Sequence, residues 1–317
     1  MFYFIVNKSG GSGNARKTWA KVVKLMKEKE IEYKAYATEY RGHATEIAKK
    51  ISEFPDTDKR IIVVGGDGTI NEVVNGIKDF KRVKLGVIPT GSGNDFARGL
   101  EIPKDTKEAL ELILSSVGER RIDVGRVRAD NGSDRLFVIS SGIGLDAIVC
   151  KKVQTSVRKK LLNKLHLGSL SYVLMTVQNL FTMKKYNVHV RVHKENKPEV
   201  PDIIENYSVD YCDLIFLAGM NCKAEGGGVP MAPGAAVDDG LLSICAVNGI
   251  PKWKALFMLI MLMKEKHKGR KGINLYDAEK LDFSADVPMV LHADGEYLGD
   301  VRKITMESQK QKLKMLI

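Results

Sequence analysis

The chain has 317 residues, 44% of them hydrophobic, which is enough for two packed domains. Its 50 basic and 39 acidic residues leave a formal charge of +11, favouring an anionic partner such as a nucleotide, a nucleic acid or a membrane surface. Cys150, Cys212, Cys222 and Cys245 are scattered without a Cys-x-x-Cys pair. That spacing argues against a disulfide framework and a thiolate zinc site, and fits reduced thiols in a cytosolic protein.

Phe2 to Val6 reads as a first strand, with no basic leader before it, and no later stretch is apolar for the length of a bilayer span. Asn7-Lys8-Ser9-Gly10-Gly11-Ser12-Gly13 follows as a loop of small residues whose exposed N–H groups can cradle a phosphate. A helix from Asn14 to about Lys29 comes next, then a strand over Ile31 to Ala37. A second helix over Gly42 to Ser52 has Ala44, Ile47, Ala48 and Ile51 on one face. Ile61-Ile62-Val63-Val64 is a strand covered on both faces, and Gly65-Gly66-Asp67-Gly68-Thr69 turns it into a helix near Thr69. The helix N-terminus suits an anion, and Asp67 would repel a phosphate there unless a cation such as Mg²⁺ lies between them. A plain helix-capping turn is the competing reading. Leu85 to Ile88 is a fourth strand, running into Pro89-Thr90-Gly91-Ser92-Gly93-Asn94-Asp95. Alternating strands and helices predict a parallel α/β sheet, so these three loops fall at strand carboxyl ends, where ligands bind. None is a Walker A sequence, and the third glycine of a dinucleotide fingerprint is absent.

After a helix over Asp105 to Ser116 the pattern changes. Arg120 to Arg128 and Arg135 to Ile139 flank a hairpin signal at Asp130-Asn131-Gly132. Tyr186 to His193, Tyr207 to Leu217, Leu241 to Val247 and Leu281 to Phe283 read as further strands, so a β-rich second domain begins near Arg121. Two exceptions carry basic clusters. One is a partly helical stretch from Leu145 to about Phe181 with Lys151, Lys152, Arg158, Lys159, Lys160 and Lys164. The other is Pro251 to Lys271, where Trp253, Leu256, Phe257, Ile260, Met261 and Met263 precede Lys264, Lys266, Lys268, Arg270 and Lys271. The latter reads as an interfacial element for a bilayer or as a core helix with a solvated end.

Gly65-Gly66-Asp67-Gly68-Thr69, Gly91-Ser92-Gly93-Asn94-Asp95-Phe96-Ala97-Arg98 and Asp294-Gly295-Glu296, in this order, resemble the diacylglycerol kinase family of bacterial lipid kinases. Gly226-Gly227-Gly228, Ala232-Pro233 and Asp238-Asp239-Gly240-Leu241 are similar to the family's second-domain motif. The resemblance implies an α/β fold class: an N-terminal parallel-sheet nucleotide-binding domain over 1–120 and a C-terminal β-sandwich over 121–303. A tail over 304–317 can return to the first domain. ATP and Mg²⁺ would meet a diacylglycerol-like lipid between the domains. Asn7, Ser9, Thr38, Gly66, Asp67, Gly68, Thr69 and Thr90 would contact ATP or Mg²⁺, and Gly10, Gly11, Gly65, Asn71, Glu72 and Ser92 complete the candidate nucleotide set. Glu296 would be the general base. Asp239, with the carbonyls of Ala236 and Leu241, matches a structural Mg²⁺ site. Lys8 departs from the family, which usually has Pro there.

The chemistry agrees with these roles. An alcohol is a weak nucleophile, so phosphate transfer needs a base at its proton and positive charge on the phosphates. Glu296 can be that base, and Asp67 and Asp95 can organise Mg²⁺. The competing readings are a turn residue for Glu296, a helix cap for Asp95, a β-turn for Asp238 and Asp239, a strand residue for His292 and a surface or capping residue for His43. The expected partners are ATP, the lipid and an anionic membrane surface at the inner face of the cytoplasmic membrane, without nucleic acid, and a homodimer is compatible with them. A kinase of a soluble substrate, similar to NAD kinases, and a non-catalytic lipid or nucleotide sensor are the alternatives.

Overall fold

The computed structural model describes residues 1–10, 14–116, 118–155, 168–193 and 206–317. They form two compact units, Met1–Val124 with Gln311–Ile317 and Gly125–Lys310.

The first unit is α/β. Its strands β1 (Phe2–Val6), β2 (Tyr33–Ala37), β3 (Lys59–Gly65) and β4 (Val83–Pro89) are all parallel, in the order β4-β3-β1-β2. The end of β14 (Glu296–Met315) extends this sheet beside β4, through Lys314 opposite Lys84 and Met315 opposite Leu85. Ile61, Ile62, Val63 and Val64 are all fully buried, as a strand covered on both faces requires. The helices are α1 (Asn14–Glu28), α2 (His43–Ser52), α3 (Asp67–Gly76), α4 (Asp95–Gly99) and α5 (Thr106–Ser115). Ala44, Ile47, Ala48 and Ile51 of α2 are buried, and so are Ile70, Val73 and Val74 of α3. A Cβ at Gly76 would strike the Thr45 carbonyl, so glycine there sets how closely α2 and α3 pack.

The second unit is β-sandwich-like. Strands run β12 (Ile273–Ala278), β11 (Leu242–Val247), β10 (Phe216–Met220), β7 (Ser140–Gly144), β13 (Lys280–Ala293) and β14, with antiparallel pairing from β12 through β14. β8 (Tyr186–His193) pairs with β13 and β9 (Tyr207–Leu214), and β5 (Arg120–Ala129) pairs with β6 (Asp134–Phe137). Side chains of β10 and β11 alternate between two cores. Leu217, Leu242, Ile244 and Ala246 face one with Phe137, Leu281 and Phe283. Phe216, Ala218, Met220, Cys245 and Val247 face the other, which is closed by α6 (Leu145–Thr155), α7 (Gly168–Thr182) and α8 (Lys252–Met263).

Three readings change. Tyr207 to Leu217 is two strands, because Asp213 takes a left-handed backbone (φ 55°) and β9 stops at Leu214. Leu281 to Phe283 is only the start of a 14-residue strand whose register with β14 shifts between Ser284 and Met289, around Pro288. The strand read from Leu241 starts at Leu242. Arg158, Lys159, Lys160 and Lys164 lie outside the described residues.

Candidate functional site

In a parallel sheet every strand ends at the same edge, and the register brings the candidate loops there together. Val6 stands opposite Ala37 on one side and Val64 on the other, and Gly65 stands opposite Pro89. The ladder continues one residue further: Thr38 N–H donates to Val6 O (2.9 Å), Asn7 N–H to Val64 O (3.0 Å) and Thr90 N–H to Gly65 O (2.9 Å). Thr38, Asn7, Gly65, Gly66 and Thr90 therefore stand side by side along one edge. Asn7 ties two loops together: its Oδ1 accepts from Ser9 N–H (3.1 Å) and its Nδ2 donates to Thr69 Oγ1 (3.0 Å).

Gly66 and Gly91 meet back to back. A Cβ on Gly66 would lie 2.8 Å from Gly91 Cα, and one on Gly91 would lie 2.7 Å from Gly66 Cα, closer than atoms pack. The edge therefore presents backbone rather than side chains, as a phosphate cradle needs. Asn94 closes the second loop. It accepts the Gly91 N–H at 2.8 Å, donates to the Gly91 carbonyl at 2.9 Å and holds a left-handed backbone that Asn tolerates. Among the described residues Thr90 Oγ1 is buried with no hydrogen-bond partner, as suits a hydroxyl that meets a polar ligand atom. These features fit a nucleotide phosphate chain.

The carboxylates of this unit have structural partners as well. Asp67 accepts the N–H groups of Asp95 and Phe96, both at 3.2 Å, so it caps α4 while lying at the start of α3. Asp95 is buried and paired at 2.5 Å with Arg98, whose other nitrogen donates to the Gly93 carbonyl. Glu72 points to α2, where its two oxygens accept Gly42 N–H (2.9 Å) and Ala44 N–H (3.2 Å). Asn71 is buried and accepts from Asn75. Gly68 is partly buried beside Asp67, Ser92 and Lys8 are exposed, Gly10 N–H donates to the Asn7 carbonyl, and Gly11 lies outside the described residues. His43 stacks on Tyr40, with ring centroids 4.5 Å apart, and its Nδ1 accepts Glu39 N–H.

In the second unit, Ala293 is paired with Glu296, so Asp294 and Gly295 alone form the hairpin between β13 and β14. Both have positive φ (46° and 78°), the geometry for which Asp-Gly is favoured. Glu296 is thus the first residue of β14, half-buried, with Gln154 Nε2 3.2 Å from its Oε2. Asp146, Glu225 and His292 are all buried, with ligand atoms within 4.8 Å of one another. Sequence reasoning leaves His292 as a strand residue; it is one, but its partner Asp146 is 146 positions away and no local signal reveals the pair. The Cys150 and Cys245 thiols are pushed up by burial and by Glu225 and Asp146, so they stay protonated. Asp239 is exposed, and its Oδ1 accepts Leu241 N–H (2.9 Å) in a tight turn; Ala236 is partly buried nearby in sequence.

A sequence profile described as the diacylglycerol kinase catalytic domain matches residues 1–127, and one described as the YegS C-terminal NAD kinase beta sandwich-like domain matches 138–317. The Bacillus subtilis protein YtlR, named for an inferred lipid kinase activity, is 30% identical over 302 residues, covering 94% of each chain. A protein of the same organism named diacylglycerol kinase is 30% identical over 299 residues, 93% of this chain and 89% of its own. A Bacillus anthracis crystal structure described as an inferred diacylglycerol kinase superposes with a TM-score of 0.74 over 99% of this chain and 96% of its own; at 22% identity this speaks for the fold alone. Profiles adjoining along the chain and relatives aligned over nearly their whole length agree with the loops and the hairpin: the chain belongs to the diacylglycerol kinase family.

Proposed function

We propose that the chain is an ATP- and Mg²⁺-dependent lipid kinase, transferring the γ-phosphate of ATP to the free hydroxyl of diacylglycerol or a related lipid. The observation that carries this reading is the edge formed by Thr38, Asn7, Gly66 and Thr90, where two glycines meet and a buried hydroxyl has no partner among the described residues. In this reading that edge would hold the phosphates, and Asp67 and Asp95 would hold Mg²⁺. Mg²⁺, when bound, supplies charge neutralisation on the phosphates. Glu296 takes the proton of the lipid hydroxyl as its oxygen bonds to the γ-phosphorus, while the bond from that phosphorus to the leaving oxygen of ADP breaks. Asp239, with the carbonyls of Ala236 and Leu241, would hold a second, structural Mg²⁺.

A lipid substrate has to be reached in a bilayer, and α8 offers the means. Trp253, Phe257, Ile260 and Met263 are exposed at spacings of four, three and three, and Lys264, Lys266, Lys268, Arg270 and Lys271 beyond them are exposed too. Among the described residues no helix is long and apolar enough to cross a membrane. Peripheral docking at the anionic inner face is the reading we adopt.

The test is transfer of labelled γ-phosphate with Mg²⁺ present, using diacylglycerol, monoacylglycerol and sphingosine in mixed micelles, and NAD in solution. We expect label in diacylglycerol or another lipid. Label in NAD alone, or ATP binding without transfer to any acceptor, overturns the proposal.

A further inference from the structure

The hairpin that carries Glu296 is held from three directions. Asp294 accepts the N–H groups of Val138 (2.9 Å), Ile139 (2.8 Å) and Ser140 (3.0 Å). Gln154 of α6 donates to the Gly295 carbonyl at 2.7 Å as well as to Glu296. The third tie is His292, whose Nδ1 accepts the Gly295 N–H at 3.3 Å. A backbone N–H can only donate, so Nδ1 carries no proton here. The proton of the neutral ring is then on Nε2, where Asp146 Oδ2 accepts it at 3.1 Å. Gly142 leaves the space for this bond, since a Cβ there would collide with Asp146 Oδ2.

The same tautomer argues against reading Asp146, Glu225 and His292 as a metal site. A metal on Nε2 would move the ring proton to Nδ1, facing the Gly295 N–H donor, whereas a metal-bound imidazole normally donates from its other nitrogen to an acceptor.

We propose that His292, fixed in this tautomer by Asp146, is a positioning residue for Glu296: it anchors the Gly295 peptide and thereby aims the adjacent carboxylate. The inference rests on the reading of Glu296 as the base. It also makes the anchor sensitive to protonation, because a proton on Nδ1 removes the acceptor. The charged groups acting on the ring are Asp146 of α6, Glu225, and Asp294 of the hairpin. Burial alone would lower the pKa of His292, but the hydrogen bond and charge of Asp146, with Glu225 and Asp294, outweigh it and raise it. The anchor is therefore present above that raised value and is lost as pH falls through it.

Two substitutions separate the two ring nitrogens. His292→Gln places an amide near Nε2, keeping a donor for Asp146 and losing the acceptor for Gly295. His292→Asn places an oxygen near Nδ1 and keeps the acceptor. We expect His292→Gln to lower kcat at least tenfold with the KM for ATP unchanged. His292→Asn should recover most of that kcat and remove the His292 contribution to the acid limb of the kcat profile. Equal losses in both variants, or wild-type kcat in a folded His292→Gln protein, overturn the positioning role. Glu296→Gln is measured alongside: full kcat in that variant overturns the base assignment and this inference with it, whereas a loss there beside a normal His292→Gln overturns this inference alone. The wild-type protein gives an independent readout in the hydrogen-exchange protection factor of the Gly295 amide. It should fall as pH drops through the His292 titration, and a constant value overturns the proposal even where the variants fail to fold.

Discussion

Carboxylates at loop ends carry most of the inferred chemistry, and their partners divide them into distinct roles. Glu72 sits one turn into α3, yet both of its oxygens face N–H groups at the start of α2, which has a Gly N-cap and hence no side chain of its own to cap it. Glu72→Ala should cost about 1 kcal/mol of stability, the usual value of a helix cap, and leave the KM for ATP unchanged. Asp67 also caps a helix, but it lies beside the Gly66 and Gly91 contact at the candidate phosphate edge. Asp67→Asn keeps one acceptor for α4 and loses the charge that would bind Mg²⁺, so turnover should fall by two orders of magnitude or more while the circular dichroism spectrum stays that of the wild type. Turnover assays with thermal melts check both. A raised KM for ATP in Glu72→Ala would return that residue to the nucleotide set, and an active Asp67→Asn would remove Asp67 from it.

Elements were legible in the sequence where one signal dominated. β3 is built on the unbroken apolar β-branched run Ile61-Ile62-Val63-Val64, and α2 has its four buried residues at helical spacing. β14 is concealed because its 20 residues mix lysines and glutamates with apolar residues, half-exposed along much of its length. β7 is concealed because Ser140, Ser141, Gly142 and Gly144 are poor strand formers, buried here by their neighbours on both sides. The loops of the candidate site were legible by composition, whereas the clamp of Asn94 on Gly91 and the pairing of His292 with Asp146 depend on contacts that only the fold creates. For α8 the sequence left core and interface as equal readings. The structure buries Ala255 and Leu262 and exposes Trp253, Phe257, Ile260 and Met263, so one face of the helix packs into the core and the other lies in solvent. Binding to anionic vesicles should therefore fall steeply with added salt, since each basic residue near such a surface contributes about 1 kcal/mol and the attraction fades within a Debye length. Trp253→Glu with Phe257→Glu should abolish sedimentation with vesicles without changing the melting temperature. Equal binding to neutral vesicles would count against the electrostatic part, and unchanged binding of the double variant against the apolar part.

At the scale of the whole molecule, the first unit is discontinuous in sequence: Met1–Val124 is completed by Gln311–Ile317. Lys314 and Met315 add a parallel strand end beside β4, and Leu316 N–H donates to the Leu85 carbonyl at 2.8 Å. Leu313, Met315 and Leu316 are each at most 1% exposed, and Gln311 N–H donates to Asp123 at 2.6 Å. Full burial of such a side chain contributes roughly 1.5–3 kcal/mol, so the three together are worth roughly 5–9 kcal/mol. That is comparable with the entire net stability of a domain, about 5–15 kcal/mol. A chain ending at Lys310 should therefore lose the cooperative folding of Met1–Val124, even though the phosphate-edge loops at Asn7, Gly66 and Thr90 are far from the removed residues in sequence. Limited proteolysis followed by mass spectrometry checks this: cuts should appear first within 1–124 of the shortened chain, and the ATP-dependent rise in melting temperature of the full chain should vanish. If the shortened chain resists proteolysis over 1–124 and keeps its thermal shift with ATP, then the returning strand is peripheral, and the parallel sheet of β1 to β4 is stable without it.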